Sequence, residues 1–191
     1  MPKRAAAPEH IYQLKITLCD TKPPIWRRVE VADTMTLAKL HEVVQVAMGW
    51  YDSHLHMFTF DGVAYGVPDL DDWMEVRDER RVKLNQLLSK PKQKLRYQYD
   101  FGDSWEHEIL LEKILDPDES AKYPRCTAGK LACPPEDCGG VWGYESFLEA
   151  IADPQHPEHA EMLEWVGGEF DPLAFDSETV TRMLQGHYPP G

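Results

Sequence analysis

From Ile11 to Leu18 polar and apolar residues alternate. Tyr12, Leu14, Ile16 and Leu18 fall on one side, Gln13, Lys15 and Thr17 on the other. A period of two is that of a half-buried strand. Pro23-Pro24 marks a turn, and Ile25–Val31 alternates again with Ile25, Val29 and Val31 on one side, so the two runs predict a hairpin. The period then changes. Leu37, Leu40, Val43, Val44, Ala47 and Met48 recur at helical spacing, Thr34 or Thr36 is placed to cap the helix, and Gly49 to stop it. Leu55–Phe60 and Val63–Tyr65 read as strands about an Asp61-Gly62 turn. Pro68–Glu79 reads as a loop and Val82–Leu88 as a short helix. Leu95–Phe101 and Trp105–Leu115 read as strands joined through Gly102-Asp103. Asp116–Val141, rich in proline and glycine, is expected as an unusually long connection, of the kind that is functional or tied down. Three short helices should follow, at about Tyr144–Ala152, Glu158–Val166 and Glu178–Leu184.

This order predicts an α+β fold: a mixed or antiparallel sheet with one long helix on a face, plus a helical C-terminal appendage. The opening hairpin followed by a helix is compatible with a β-grasp-like core. The expected organisation is a disordered tail over 1–10, a sheet core over 11–115, and over 116–191 a Cys/Pro/Gly loop and short helices packed on that core, all within one domain.

Composition narrows the setting. The chain has 191 residues and a net charge of −13. Nothing in it approaches the run of roughly 20 apolar residues that spans a bilayer, and Met1–Pro8 lacks the apolar core of a signal peptide. The expectation is a soluble, cytoplasmic protein without a membrane partner. Excess negative charge repels a phosphate backbone, so a protein partner is favoured over nucleic acid. The basic residues are unevenly placed, however. Arg77, Arg80, Arg81, Lys83, Lys90, Lys92, Lys94 and Arg96 fall in one stretch, interrupted by only Asp78 and Glu79. That stretch reads first as a solvated connection and second as a dock for an acidic partner such as DNA.

Three constellations could carry chemistry. In Tyr99–Glu108, Trp105 and His107 share the apolar side of a strand with Ile109 and Leu111, whereas Glu106 and Glu108 point the other way. His107 is then first a core histidine satisfied by a hydrogen bond, and second a desolvated base or metal ligand. Asp100 and Asp103 either cap the turn or join such a site. His54 and His56 lie two apart on a strand, so both imidazoles project to one face, as two ligands of one ion require. Cys126, Cys133 and Cys138 crowd the Pro/Gly loop. Three thiols with His107 would make a Cys3His zinc site, the cofactor expected if there is one, although the spacing is not that of a zinc ribbon or finger. The plainer reading is buried thiols pinning the loop to the core. His156-Pro157-Glu158-His159 is not a zincin motif and reads as a helix start. Walker, dinucleotide-binding and hydrolase-elbow glycine motifs are all missing from the sequence.

Several longer strings carry a resemblance. Ala47-Met48-Gly49-Trp50 with His54-Leu55-His56-Met57-Phe58, then Tyr99–His107, Cys133-Pro134-Pro135-Glu136-Asp137-Cys138-Gly139-Gly140, and Glu164–Pro172 occur in the order seen in the plasmid pRiA4b ORF-3-like family. The chain resembles that family over roughly Ile11 to Leu184. The resemblance implies no established activity. Some members carry a transposon-resolvase label, which implies a mobile-element context. Resolvase chemistry finds no support in these residues, because Ser53 and Ser104 have no arginines near them in sequence to hold a phosphate and no basic helix-turn-helix is evident.

The leading expectation is therefore a non-catalytic binding or accessory domain, with His54, His56, Asp100, Asp103, Trp105 and Glu106 as candidate binding residues. The alternative is a metal-dependent hydrolase or nuclease drawing ligands from His54, His56, His107, Asp100, Asp103 or the cysteines, with Glu106 or Glu108 as base. That alternative requires these residues to converge in one cleft.

Overall fold

The computed structural model describes residues 8–68 and 75–187, with nothing said of the side chain of residue 187. Residues 1–7, most of the expected tail, and 69–74, the middle of the expected loop Pro68–Glu79, lie outside the described residues.

The alternating segments form the strands they predict. β1 (Ile11–Leu18) and β2 (Ile25–Ala32) pair as a hairpin, and α1 (Leu37–Met48) follows. Thr36 rather than Thr34 caps α1, its hydroxyl accepting from the Lys39 amide, and Gly49 ends the helix in the left-handed conformation at φ 91°. β3 (His56–Phe60) and β4 (Val63–Gly66) turn about Asp61-Gly62. After β5 (Val76–Asp78) and α2 (Leu84–Leu87) come β6 (Lys94–Tyr99) and the long β7 (Trp105–Leu115). β8 (Arg125–Lys130), α3 (Gly140–Ala152), α4 (His159–Trp165) and α5 (Ser177–His187) complete the chain.

The strands make one mixed sheet in the order β5-β4-β3-β6-β7-β1-β2-β8, antiparallel except for the β4–β5 pair. Two of its strands lie where loops were expected. β5 falls within Pro68–Glu79, and β8 within Asp116–Val141. Both are edge strands, and neither has the apolar alternation that announces a strand, since an edge strand needs little burial of its own. β8 is held by its pairing with β2, and its Gly129 lies under the ring of Phe175, where a Cβ would stand 2.5 Å from the ring. The long connection is thus tied down by pairing, as its length suggested.

One face of the sheet is the core. Leu14, Ile16, Val29, Leu95, Tyr97, Trp105, His107 and Leu111 point into it and meet Leu37, Leu40, Val43 and Val44 of α1. α5 packs on β8 and against α1, with Leu184 fully buried. The buried Arg27 guanidinium binds this corner together. It donates to the carbonyls of Ala47 at the end of α1 and of Lys130 on β8, and stacks over Phe175 at 4.4 Å. The opposite face is polar, with Arg28 bridged to Glu112 and Lys94 to Glu108. Among the described residues no helix is long and apolar enough to cross a membrane.

His107 lies on the core face, fully buried. Its Nδ1–H donates to the Trp105 carbonyl at 2.9 Å, which fixes the tautomer, while Nε2 has no partner among the described residues. Burial pushes its pKa down to about 4 from 6.5, with the backbone hydrogen bonds opposing. Between those values the unfolded chain binds the proton and the folded chain does not. Stability is therefore complete above about pH 6.5 and is lost as pH falls toward 4, by about 3 kcal/mol from this group. Thermal unfolding followed from pH 8 to 4 should show that acid limb, and His107→Asn, which keeps a donor near Nδ1, should flatten it.

Candidate functional site

Three segments converge where β6 ends: the α1–β3 connection (residues 49–55), the β6–β7 turn (100–104) and the segment before α3 (133–140). Trp50 is buried against Tyr99, with ring centres 5.0 Å apart, and its indole N–H donates to the Pro134 carbonyl. The Tyr99 hydroxyl donates to Glu136 Oε1 at 2.6 Å and accepts from the Ser53 amide at 3.0 Å. Burial and the neighbouring Glu136 carboxylate raise the Tyr99 pKa, so the hydroxyl keeps its proton and stays a donor. Glu136 also accepts from the Tyr51 amide and the Ser53 hydroxyl. On the other side Gly139 N–H donates to Asp103 Oδ2 at 3.1 Å. Gly140, at φ 70°, passes so close that a Cβ would stand 2.5 Å from the Asp103 carbonyl oxygen. The Cys138-Gly139-Gly140 string thus lets one backbone lie against another.

The convergence creates two histidine–carboxylate groups: His41 with Asp52 and His56, and His54 with Asp100 and Asp137. They differ in kind. In the first, the His41 and His56 rings stack face to face, 3.4 Å between centres and 6° apart. His41 Nε2 donates to Asp52 Oδ1 and His56 Nε2 to Glu79 Oε2, each at 2.8 Å. Gln45 donates to the Tyr97 hydroxyl, which in turn serves His41 Nδ1 at 2.8 Å. Burial, and next the neighbouring His56, hold the His41 pKa below its usual value, consistent with a neutral ring in this chain of bonds. Imidazole lone pairs lie in the ring plane, so two parallel stacked rings cannot both aim at one ion. This group is a satisfied structural network.

The second group is not satisfied internally. His54 Nε2 lies 2.8 Å from Asp137 Oδ1 and 3.6 Å from Asp100 Oδ2, and is screened from solvent, yet it is aligned for a hydrogen bond with neither. Asp100 is positioned by its other oxygen, Oδ1, which accepts from the Gly102 and Asp103 amides. Asp52, Asp100, Ser104 and Asp137 all have left-handed backbone, at φ 55–59°. Asp adopts that region more readily than most residues, and sharp turns are what bring these side chains inward.

The remaining candidates lie elsewhere. Trp105 is core. Glu106 faces the opposite, polar side of the sheet and pairs in register with Gln98. Asp103 serves the Gly139 amide rather than His54. His56 belongs to the first group, so the two histidines expected to share an ion are divided between networks. Cys126, Cys133, Cys138 and His107 do not gather at ligand distance. Among the described residues the groups that do are the two above. Burial raises the pKa of Cys126 to about 11 and of Cys138 to about 12, and that of Cys133 well above its ordinary value. Neutral thiols are poor ligands and poor nucleophiles. In the basic stretch, Arg80 and Arg81 pair with Asp78, and Lys94 with Glu108.

Two clefts open beside the second group. One, of about 500 Å³, is walled by Met48, Tyr51, Pro135, Glu136, Asp137 and Trp165. The other, of about 360 Å³, is walled by Asp137, Phe147, Glu158, Met162 and Trp165. Asp137 and Trp165 belong to both, which makes them the ridge of one continuous groove. Among the described residues its lining holds no basic side chain. Asp137 is 66 % exposed, Tyr51 84 % and Trp165 47 %.

The family model for plasmid pRiA4b ORF-3-like proteins matches residues 10–179. The chain belongs to that family. The uncharacterized protein y4hQ of Sinorhizobium fredii (strain NBRC 101917 / NGR234) is 44 % identical over 177 residues, which span 91 % of this chain and 90 % of that one. The crystal structure of MM3350, a protein of unknown function from Methanosarcina mazei Go1, matches with a TM-score of 0.83 at 38 % identity. The match covers 91 % of this chain and 98 % of that one. These relatives establish fold and kinship and carry no activity to transfer.

Sequence reasoning chose His54 and Asp100 and missed Asp137, Glu136 and Asp52. Asp137 and Glu136 lie inside the quoted Cys133–Gly140 string, whose length was the signal available. His41 was legible only as a polar residue on the apolar side of α1.

Two outcomes follow from this arrangement. Gly140→Ala should force the 133–140 segment off Asp103 and cost about 2 kcal/mol of stability in chemical denaturation. A neutral thiol reagent at pH 8 should modify the buried Cys126 only at the rate of unfolding, and the half-buried Cys133 and Cys138 more slowly than a free thiol because their pKa values are raised, whereas all three should react at once in denaturant.

Proposed function

We propose that the protein is a binding module, and that its groove at Asp137 and Trp165 receives a segment of a partner protein carrying Lys or Arg beside apolar residues. The observation that carries this reading is the lining: exposed aromatic side chains set among Glu136, Asp137 and Glu158, with no basic residue between them among the described residues. Aromatic faces and carboxylates together suit a cation on an apolar stem, through ion pairing and cation–π contact. The net charge of −13 favours the same partner by long-range attraction and disfavours nucleic acid. The pairing of Arg80, Arg81 and Lys94 with carboxylates further weakens the case for a DNA contact. The plasmid origin of the family name supports a mobile-element setting for the partner. A hydrolase or nuclease draws less support, because His56, His107, Glu106 and Cys126 do not line the cleft, and Cys133 and Cys138, which do, are held as neutral thiols.

The test is titration with short synthetic peptides of fixed length and graded Lys/Arg content, followed by tryptophan fluorescence in the presence of a chelator. Affinity should rise with basic content and fall with added salt, and Asp137→Asn or Trp165→Ala should weaken it by about fivefold or more. Equal affinity for acidic and basic peptides would overturn the proposal.

A further inference from the structure

We infer that His54, Asp100 and Asp137 hold one divalent transition-metal ion of the manganese–zinc class at the edge of this groove. The inference goes beyond the binding reading and stands on a different observation, the frustrated geometry around His54. A histidine nitrogen screened from solvent normally finds a hydrogen bond. Here Nε2 has carboxylate oxygens at 2.8 and 3.6 Å and is aligned with neither. These two separations bracket the spacing of ligands about one ion, which a small outward shift of the exposed Asp137 would complete. Donors at about 2.1 Å from a common centre lie roughly 3–3.5 Å from one another, each aimed at the centre and not at its neighbour.

The other histidine group is a built-in comparison. It has the same residue types, yet its Nε2 atoms are matched to carboxylates by aligned hydrogen bonds, and its rings are parallel. Composition is therefore not what singles out His54; an unmet nitrogen beside two carboxylates is, whereas the unmet Nε2 of His107 belongs to no such group among the described residues. Nor is the site a chance cluster on a surface. Its three ligands come from three separate segments, and each segment is fixed by contacts that do not involve His54: Tyr99 with Glu136 and Ser53, the Asp100 turn, and the Gly139–Gly140 approach to Asp103.

One imidazole nitrogen and two carboxylate oxygens make a mixed donor set that suits manganese or zinc better than calcium, which prefers oxygen alone. Two carboxylates balance the charge of a divalent ion. The exposed Asp137 leaves the outer side of the ion open to water or to a further ligand. Because Asp137 also lines the groove, a loaded ion competes with a basic segment for it, which is why the peptide titration is done with chelator present.

The test is direct ion titration of the chelator-stripped full chain. Mn2+ is followed by electron paramagnetic resonance and calorimetry, and Zn2+ is added as a competitor. The expected result is one Mn2+ per chain, displaced by Zn2+. His54→Ala and Asp137→Asn should each weaken binding by about tenfold or more, whereas Asp52→Asn, in the satisfied network, should leave it unchanged. Asp137 is largely exposed, so its variant should keep the wild-type circular dichroism. No saturable binding below about 1 mM, or loss of binding in Asp52→Asn but not in Asp137→Asn, would overturn the inference. Either result would leave the peptide titration untouched.

Discussion

The Tyr99 hydroxyl holds the site end of this molecule together. It donates to Glu136 while accepting from the Ser53 amide, and the Trp50 ring lies on the Tyr99 ring. Without that bond the 49–55 and 133–140 segments would lose a shared anchor, and His54 and Asp137 would have less reason to meet. Tyr97, two residues earlier on the same face of β6, does the parallel work one step inward. Its hydroxyl accepts from Gln45 and serves His41, both on α1. The period of two in a strand thus gives one side chain to the helix and the next to the loops.

This division explains why two groups of similar composition differ in character. Close to the helix every donor can find an acceptor, because α1 is a rigid element whose side chains are placed at fixed intervals. Its His41 stays neutral, stacks on His56 and is bonded at both ring nitrogens. Farther out, the ligand-bearing residues ride on turns whose shapes are set by backbone contacts, and His54 is left beside carboxylates it does not face squarely. A polar group held out of register by its surroundings stores unmet interaction energy. That makes it the place where a ligand gains most.

The cysteines show the converse. Three thiols in one Pro/Gly loop look like a metal site in one dimension. In space Cys126 is on an edge strand, where its N–H and carbonyl bind the Thr181 hydroxyl of α5. Cys133 and Cys138 pack against the core with Tyr144 nearby. Burial raises their pKa values, and the residues act as small apolar groups.

The sequence by itself determined the α+β class, the strands and helices with clear periodicity, the capping of α1, the buried side of β7 and the family kinship. Each of these is written in local spacing: alternation in Ile11–Leu18, helical recurrence in Leu37–Met48, and long strings such as Cys133–Gly140. It could not place the edge strands β5 and β8, which have little burial to signal them. Nor could it divide His54 from His56: both were expected on one strand, yet β3 begins at His56 and His54 falls in the connection before it. Only the tertiary structure decided that His56 turns to Glu79, buried beside α1, while His54 meets Asp137 from a segment more than eighty residues away. The reason is physical. Which face a side chain occupies is a local property of the backbone, whereas which partner waits on that face depends on segments brought together by the fold.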